Sequence, residues 1–328
     1  LIFIEEQSFE NTIDSGLALL DDMLANLTGT VLPGADAFRL YDTYGFPVDL
    51  TKDILSEKGL TVDEEEFDRL MKEQRERARA ARKDAGADAW KAEAGAAEQL
   101  PATRFTGYES LEGAAKVLAI LKAGAPADSL AEGEEGVLVL DETPFYAESG
   151  GQAGDAGAVE NGDGLFLVGQ TSKTAGGVFL HSGVMQKGLL CAGDTVTAKV
   201  DRIGRAATMR NHTAAHLLQA ALRRVLGDHV EQAGQLVTSS RMRFDFTHFS
   251  ALTGDELRKV EGLVNLWIME GLQTVVREMP IEEARKLGAM ALFGEKYGDI
   301  VRVVSVGNVS MEFCGGTHVD NTSKLGLF

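Results

Sequence analysis

Two pairs of potential metal ligands, each pair four residues apart, constrain this chain more than any other feature. His212 and His216 lie in a segment of helical periodicity, so their imidazoles project from one face, one turn apart. Cys314 and His318 stand in the sequence Cys-Gly-Gly-Thr-His, where the glycines favour a tight turn after a strand. A tetrahedral Zn²⁺ site takes such a mixture of nitrogen and sulfur donors, and a thiolate disfavours Mg²⁺ or Ca²⁺. A zinc site requires a fold that brings this helix and this turn together.

Each pair alone is a weak signal, because a helix often places two histidines at this spacing by chance. Together the pairs use four of the eight Cys and His residues of the chain, which favours a joint site over unrelated side chains. A purely structural zinc with four protein ligands remains an alternative to a catalytic zinc with an open position. A zincin protease is not indicated, since no Glu lies among the residues 213–215 between the histidines.

The bulk properties suggest a multi-domain protein of the cytoplasm. The length of 328 residues suggests two or three domains, and no apolar run is long enough to predict a membrane span. Only two cysteines and no secretory signal indicate a reducing compartment. The chain begins at Leu1 without Met and ends in an apolar stretch at Phe328, so we expect it to be an internal piece of a longer protein.

The apolar periodicity changes twice along the chain and predicts a multi-domain α+β protein. Residues 1–100 form an N-terminal helical segment, with a compact aromatic turn at 38–47 and an Ala/Gly-rich weak helix or linker at 84–99. In residues 101–200, short apolar runs between glycine-rich turns predict a small antiparallel β barrel or sandwich. Residues 201–328 return to helical patterns and end in two strands, which is typical of an α+β domain.

A glycine-rich loop, Phe145 to Gly157, interrupts the predicted barrel. Such a loop can adopt positive φ angles and bring backbone N–H groups close to a ligand. It lacks the Gly-Lys-Ser/Thr of a phosphate-binding P-loop. Taken alone, the segment is predicted to be a hairpin loop.

A basic stretch stands out in a chain whose net charge is −18. Residues 199–243 contain eight Lys or Arg against three acids, a local charge of +5. The overall acidity argues against a general nucleic-acid coat. The basic stretch is either a solvated face or a surface that contacts phosphates.

Four separated segments, in the right order, resemble the alanyl-tRNA synthetase family of class II synthetases. Segments 210–218 and 314–319 resemble the two metal motifs of the alanyl- and threonyl-tRNA synthetase editing domains. The loop 146–157 resembles the glycine-rich loop of the alanyl-type editing barrel, and 37–51 resembles the region just after the aminoacylation core. The resemblance covers essentially the whole chain, from the end of the tRNA-recognition region through most of the editing domain.

The resemblance implies that this chain is the tRNA-recognition and editing part of a longer alanine–tRNA ligase, whose aminoacylation site lies elsewhere. ATP, Mg²⁺ and alanine would bind in a class II catalytic core that should precede residue 1, and no motif of that core is found here. The present residues would be a helical tRNA-recognition remnant (1–100), a glycine-rich barrel (101–200) and a zinc-binding editing domain (201–328) that is truncated at its C-terminus. The implied activity is hydrolysis of Ser-tRNA or Gly-tRNA specific for alanine, and the implied partner is alanine tRNA.

The resemblance and the residues together give the candidate site. The ligands of Zn²⁺ would be His212, His216, Cys314 and His318. At the position of Gln232 the family places a glutamine in the editing pocket, and Thr213 is a second candidate for the pocket wall. Position 215, where some relatives carry a hydroxyl residue, is Ala in this chain. Three arginines that flank the metal helix are the candidates for contacting tRNA: Arg202, Arg205 and Arg210.

Two other readings compete with the editing hydrolase. One is a tRNA-binding module with a purely structural zinc. The other is a freestanding trans-editing protein, against which the helical segment before residue 100 argues. The sequence leaves the oligomeric state open.

Overall fold

The computed structural model describes residues 2–27, 29–83, 95, 97, 99–290 and 298–328. It divides into two compact units, Leu1–Asp88 and Ala89–Phe328, and each contains helices and strands. The α+β class is thereby confirmed, whereas the three-part division at residues 100 and 200 stays a prediction. Most of the predicted linker 84–99 lies outside the described residues. No described helix has the length and apolar content needed to cross a membrane.

The first unit packs four helices around an apolar core that includes Leu20, Leu40, Phe46 and Leu55. Its elements are α1 (Ile2–Ala25), β1 (Val31–Leu32), α2 (Gly34–Tyr44), α3 (Val48–Glu57), β2 (Thr61–Val62) and α4 (Glu64–Lys83). The strands β1 and β2 pair in parallel.

The predicted aromatic turn at 38–47 is wrong, because most of it belongs to helix α2. Pro33 precedes this helix, and Gly45, with φ of 68°, ends it. Ala37 and Leu40, one turn apart, are buried on the same face of α2. The aromatic residues suggested a turn, although the sequence also contained the start and stop signals of a short amphipathic helix, Pro33 and Gly45.

The second unit begins with a closed β barrel, which confirms the predicted antiparallel barrel. The strands of this region are β3 (Arg104–Phe105), β4 (Glu112–Lys122), β5 (Ala125–Ala127), β6 (Ser129–Ala131), β7 (Glu135–Leu140), β8 (Glu142–Thr143), β9 (Gly157–Glu160), β10 (Gly164–Lys173), β11 (Phe179–Cys191) and β12 (Thr195–Val200). Six of these strands close in the order β10-β9-β12-β4-β7-β11 and back to β10, with every neighbouring pair antiparallel. Closure leaves no free edge among the six strands.

The barrel interior contains one histidine whose hydrogen bonds are complete. His181 is fully buried, with Nδ1 3.0 Å from the carbonyl of Leu138 and Nε2 2.8 Å from the hydroxyl of Thr143. Because a carbonyl only accepts, Nδ1 carries the proton and Nε2 accepts from Thr143. Burial lowers the pKa of His181 to about 4, so the ring is neutral at physiological pH. This histidine is part of the barrel core.

The remainder of the second unit is a helix pair with two small antiparallel sheets. Its elements are α5 (Arg202–Leu226), β13 (Gln232–Val237), β14 (Met242–Phe246), α6 (Gly254–Met269), β15 (Thr274–Pro280), α7 (Ile281–Lys286), β16 (Ile300–Val306), β17 (Ser310–Phe313) and a 3₁₀ helix (Thr322–Leu325). The helical patterns predicted within residues 201–328 are confirmed by α5 and α6, which share a core that includes Leu217, Leu222, Val264 and Trp267. The strands β13 and β14 form a hairpin, and β15, β16 and β17 form a three-stranded sheet.

A buried ion pair joins the first turn of α5 to the glycine-rich loop of the barrel. The Nε atom of Arg205 lies 2.9 and 3.0 Å from the two carboxylate oxygens of Asp155, and both side chains are almost fully buried. The other guanidinium nitrogens donate to the carbonyls of Gly107 and Pro144, and the carboxylate also accepts from the backbone N–H of Tyr146. The pair therefore has the additional hydrogen bonds that a desolvated ion pair requires.

We expect Arg205→Met to lower the free energy of unfolding of this unit by about 3–5 kcal/mol, because it leaves the Asp155 carboxylate buried without a counter-charge. Urea denaturation followed by tryptophan fluorescence, to which Trp267 in the core beside α5 contributes, measures the change. Arg202→Met is the matched control, since Arg202 is exposed on the same turn. A loss at Arg205 no larger than that at Arg202 would contradict the role of the ion pair.

Candidate metal centre

The structure brings the four predicted ligands together. His212 and His216 project from α5, and Cys314 and His318 follow β17; one ligand atom from each residue lies within 4.8 Å of all the others. The thiol sulfur of Cys314 is 3.6 Å from Nε2 of His212 and 3.2 Å from Nε2 of His318. Ligand atoms around a tetrahedral zinc lie roughly 3.3–3.8 Å apart, given its usual bond lengths. The cluster can therefore hold a metal ion.

Neutral side chains contact two of the imidazoles at Nδ1, the ring nitrogen that faces away from the thiol. Nδ1 of His212 lies 2.7 Å from Oε1 of Gln152, and Nδ1 of His318 lies 3.1 Å from the hydroxyl of Thr213. With these Nδ1 atoms occupied, the Nε2 atoms face the thiol and are available to an ion.

The third imidazole faces a carboxylate. Nδ1 of His216 lies 3.5 Å from Oε2 of Glu312, and Oε1 of the same carboxylate accepts from the hydroxyl of Ser310 at 2.8 Å. Nδ1 of His216 is buried and has no hydrogen-bond partner among the described residues. A carboxylate behind a histidine is a common partner of a metal-ligating imidazole, which it orients and makes more basic. The donor set and these partners fit a zinc ion.

The cluster shifts the pKa values of three of its members in different directions. Burial raises the pKa of the Cys314 thiol, but its electrostatic interactions and hydrogen bonds with the neighbouring histidines, His212 first, outweigh burial and hold that pKa well below its usual value. Burial lowers the pKa of His216, but the Glu312 carboxylate and Cys314 raise it to about 9. Burial, and after it the electrostatic interaction with His212, lower the pKa of His318 to about 3. Glu312 and Cys314 thus favour positive charge at His216, the imidazole that faces the carboxylate.

An arginine and a tyrosine hold the turn that carries Cys314. The guanidinium of Arg302 donates to the carbonyls of Cys314 and Gly316 at 2.7 and 2.9 Å. The same group lies 4.2 Å from the ring centroid of Tyr108, whose hydroxyl donates to the carbonyl of Gly315. These contacts fix the carbonyls of the turn and leave the thiol to face the histidines.

A cavity of about 260 Å³ opens onto the cluster. His212, His216 and Cys314 line it together with Gln232, the first residue of β13, and Gly150 of the glycine-rich loop. Its volume lies slightly below the range usual for small-molecule sites and suits a small group. The structure therefore places Gln232 in the same cavity as three of the four predicted ligands.

The position of Thr213 corrects the expected pocket wall. Its side chain is fully buried, and its hydroxyl accepts from the backbone N–H of Val319 at 3.2 Å while contacting Nδ1 of His318. Thr213 follows His212 on the helix and therefore points to a different side, where the chain leaves His318. It acts on the cluster by orienting His318.

The three arginines proposed for tRNA separate into two groups. Arg202 is exposed and Arg210 is half-buried. Arg205 is only 2% exposed and is engaged with Asp155 and two carbonyls. The prediction that Arg205 contacts tRNA is therefore corrected, because its guanidinium already has partners inside the protein.

Two family models match the chain. One, described as tRNA synthetases class II (A), matches residues 1–203, which is more than half of the chain. The other, described as the threonyl and alanyl tRNA synthetase second additional domain, matches residues 301–328, which include Cys314 and His318. The chain belongs to the class II alanyl-tRNA synthetase family.

Similar proteins named alanine–tRNA ligase occur in several bacteria. That of Pseudomonas fluorescens is 52% identical over 324 residues, which cover 98% of this chain and 36% of the relative. That of Geobacillus thermodenitrificans is 48% identical over 332 residues, which cover the whole chain and 38% of the relative. That of Methylobacillus flagellatus is 49% identical over 327 residues. The chain thus spans somewhat more than a third of the length of these ligases.

Sequence reasoning missed several residues around the centre of this alanyl-tRNA synthetase chain. Arg302 and Glu312 are the charged residues within two otherwise mainly apolar strands, a signal that the sequence carried. Gln152 follows two glycines in the glycine-rich loop, for which the sequence predicted only a role of the backbone N–H groups. Tyr108 had no signal, because its contact with the turn depends on residues about two hundred positions away.

We expect Gly316→Ala to disrupt the centre, whereas Gly315→Ala should be tolerated. A Cβ atom at Gly316 would lie 2.0 Å from Cε1 of His212 and 2.8 Å from Oε1 of Gln152, but a Cβ atom at Gly315 would meet nothing within 4 Å. Crowding of this kind costs about 1–3 kcal/mol of stability and should displace His212. Urea denaturation and the zinc content after dialysis check both effects. Equal behaviour of the two variants would show that the close approach at Gly316 is unimportant.

Proposed function

We propose that this chain hydrolyses the ester bond of alanine tRNA that carries serine or glycine, at a zinc-dependent editing site. The observation that carries the proposal is the convergence of His212, His216, Cys314 and His318 beside a small cavity that Gln232 also lines. We propose that the longer ligase charges tRNA with alanine, and that ATP and Mg²⁺ belong to a catalytic core outside these residues.

An alanine-specific synthetase needs a second, discriminating site because glycine and serine are close to alanine in size. A pocket that accepts alanine cannot strongly reject glycine, which is smaller, or serine, which adds only a hydroxyl. Discrimination of many thousandfold then needs a separate hydrolytic site that accepts what the first site cannot reject. The small volume of the cavity beside the cluster is consistent with such substrates.

In this proposal, residues in and around the cluster bind the metal, orient its ligands and recognise the substrate. A zinc ion held by the four ligands would supply a Lewis acid for the ester or its attacking water. The imidazoles would be oriented by the side chains that face their Nδ1 atoms, those of Gln152, Thr213 and Glu312. Gln232 presents a carboxamide to the cavity, where it can hydrogen-bond the serine hydroxyl or the water. Because position 215 is a buried Ala, recognition of a hydroxyl is assigned in this proposal to Gln232, which lines the cavity.

A second function rests on the completeness of the ligand set. Four protein ligands that all converge are typical of structural zinc, whereas catalytic zinc keeps one position open. The chain would then bind tRNA around a structural ion and have no hydrolytic activity of its own. The two functions differ in whether the purified chain deacylates Ser-tRNA.

We expect wild-type protein to deacylate alanine tRNA charged with serine and to leave alanine-charged tRNA intact. Cys314→Ala should abolish this activity and weaken zinc binding, because it removes the only sulfur donor of the cluster. Cys191→Ala is the matched control, since Cys191 lies in strand β11 of the barrel and outside the cluster. Loss of labelled serine from tRNA measures the rate. One zinc per chain without deacylation would favour the structural-zinc alternative.

We also propose that Arg202, the first residue of α5, and Arg210, two turns further along the helix, contact the phosphates of the acceptor end of tRNA. The double variant Arg202→Glu/Arg210→Glu should weaken tRNA binding and lower the salt dependence of log Kd by about 1.4–1.8, the slope expected from two phosphate contacts. Arg258→Glu/Lys259→Glu, which reverses two exposed charges on α6, is the control for net charge. Filter binding at several salt concentrations measures both effects. If the two double variants behave alike, Arg202 and Arg210 do not contact the tRNA phosphates.

A further inference from the structure

The side chain of Gln152 connects the glycine-rich loop to both halves of the candidate metal centre. It is fully buried. Its Oε1 atom lies 2.7 Å from Nδ1 of His212 and accepts from the backbone N–H of Thr317 at 2.9 Å. Its Nε2 atom donates to the hydroxyl of Thr317 at 3.0 Å. One carboxamide therefore touches the helix that carries the first ligand pair and the turn that carries the second.

The orientation of this carboxamide fixes the proton on His212. A backbone N–H can only donate, so the atom of Gln152 that faces Thr317 N must be the oxygen. The same oxygen faces Nδ1 of His212, which must therefore carry its proton there to form a hydrogen bond. The lone pair of the neutral ring then lies on Nε2, the atom that faces the sulfur of Cys314.

The loop that presents Gln152 is held in place by backbone contacts to the end of β13. The N–H of Val237 donates to the carbonyl of Gly151 at 2.7 Å, and the carbonyl of Val237 accepts from Ala153 at 2.9 Å. Gly151 has φ of +78°, and a Cβ atom there would lie 2.6 Å from the carbonyl oxygen of Gln235. Only glycine allows this conformation and this close approach. The carboxamide is thus positioned by a rigid, closely packed loop.

We propose that Gln152 is a positioning residue of the metal centre, through which the barrel sets the tautomer of His212 and its distance from the Cys314–His318 turn. This inference rests on the proposed zinc site. A hydrogen-bond partner behind a metal-ligating histidine typically changes metal affinity by 10- to 100-fold. Gln152 is therefore expected to act on metal binding without touching the metal.

The test compares three variants of the full chain by their affinity for zinc alone, measured in competition with a chromophoric chelator. Gln152→Met keeps the length of the side chain and removes its hydrogen bonds, so zinc should bind about 10- to 100-fold more weakly. Gln152→Glu keeps an oxygen that accepts from His212 and from Thr317 N, so its affinity should stay within a few fold of wild type. Gln170→Met, at an exposed barrel position, is the matched control.

A second readout separates positioning from mere packing. Long-range ¹H–¹⁵N spectra of histidine-labelled protein report which ring nitrogen of His212 carries the proton; Nδ1 is expected in wild type and Gln152→Glu, but a mixture in Gln152→Met. Unchanged zinc affinity and tautomer in Gln152→Met would overturn the inference. Equal weakening in the Met and Glu variants, together with a lower Tm in both, would also overturn it in favour of a packing role. If wild-type protein binds no zinc, the proposed zinc site itself fails.

Discussion

The buried ion pair between Arg205 and Asp155 is the contact on which the arrangement of the second unit depends. It ties the first turn of α5 to the glycine-rich loop, and its remaining hydrogen bonds go to carbonyls of the barrel segment. Two charges are removed from water here, which is favourable only because every one of these partners is in place. The pair therefore sets where α5 begins relative to the barrel. His212 and His216 lie on the same helix, within three further turns, so their positions follow from this contact.

The centre is assembled from three parts of the chain that are far apart in sequence. Helix α5 supplies two imidazoles, the turn after β17 supplies a thiol and an imidazole, and the glycine-rich loop supplies the carboxamide that bridges them. Gly316 allows the turn to approach the ring of His212 more closely than any side chain would permit. The barrel therefore contributes to the geometry of the metal centre although it provides no candidate ligand.

The surroundings of the ligands also account for the polar residues buried in this region. Glu312 and Gln152 are each almost fully buried, and each faces an imidazole. Burying such groups is costly unless they are hydrogen-bonded or paired with charge. Gln152 is hydrogen-bonded to His212 and Thr317, and Glu312 accepts from Ser310 and faces His216; the proposed metal ion would further offset the carboxylate. His181, by contrast, has both ring nitrogens satisfied by the barrel and belongs to its core.

The sequence alone was enough to predict the α+β class, a small antiparallel barrel or sandwich, the helical patterns of α5 and α6, and the two ligand pairs at four-residue spacing. These features depend on local periodicity and on residues four apart, which a single sequence displays directly. It misassigned α2, placed Arg205 on the surface and Thr213 in the pocket wall, and overlooked Gln152, Arg302 and Glu312. Arg302 contacts a turn 12 to 14 positions further along the chain, and α2 carried its own start and stop signals. The roles of Arg205, Thr213, Gln152 and Glu312, in contrast, could be assigned only from the folded protein, because each has a partner at least 50 positions away in the sequence. Sequence spacing carries no information about such distant contacts.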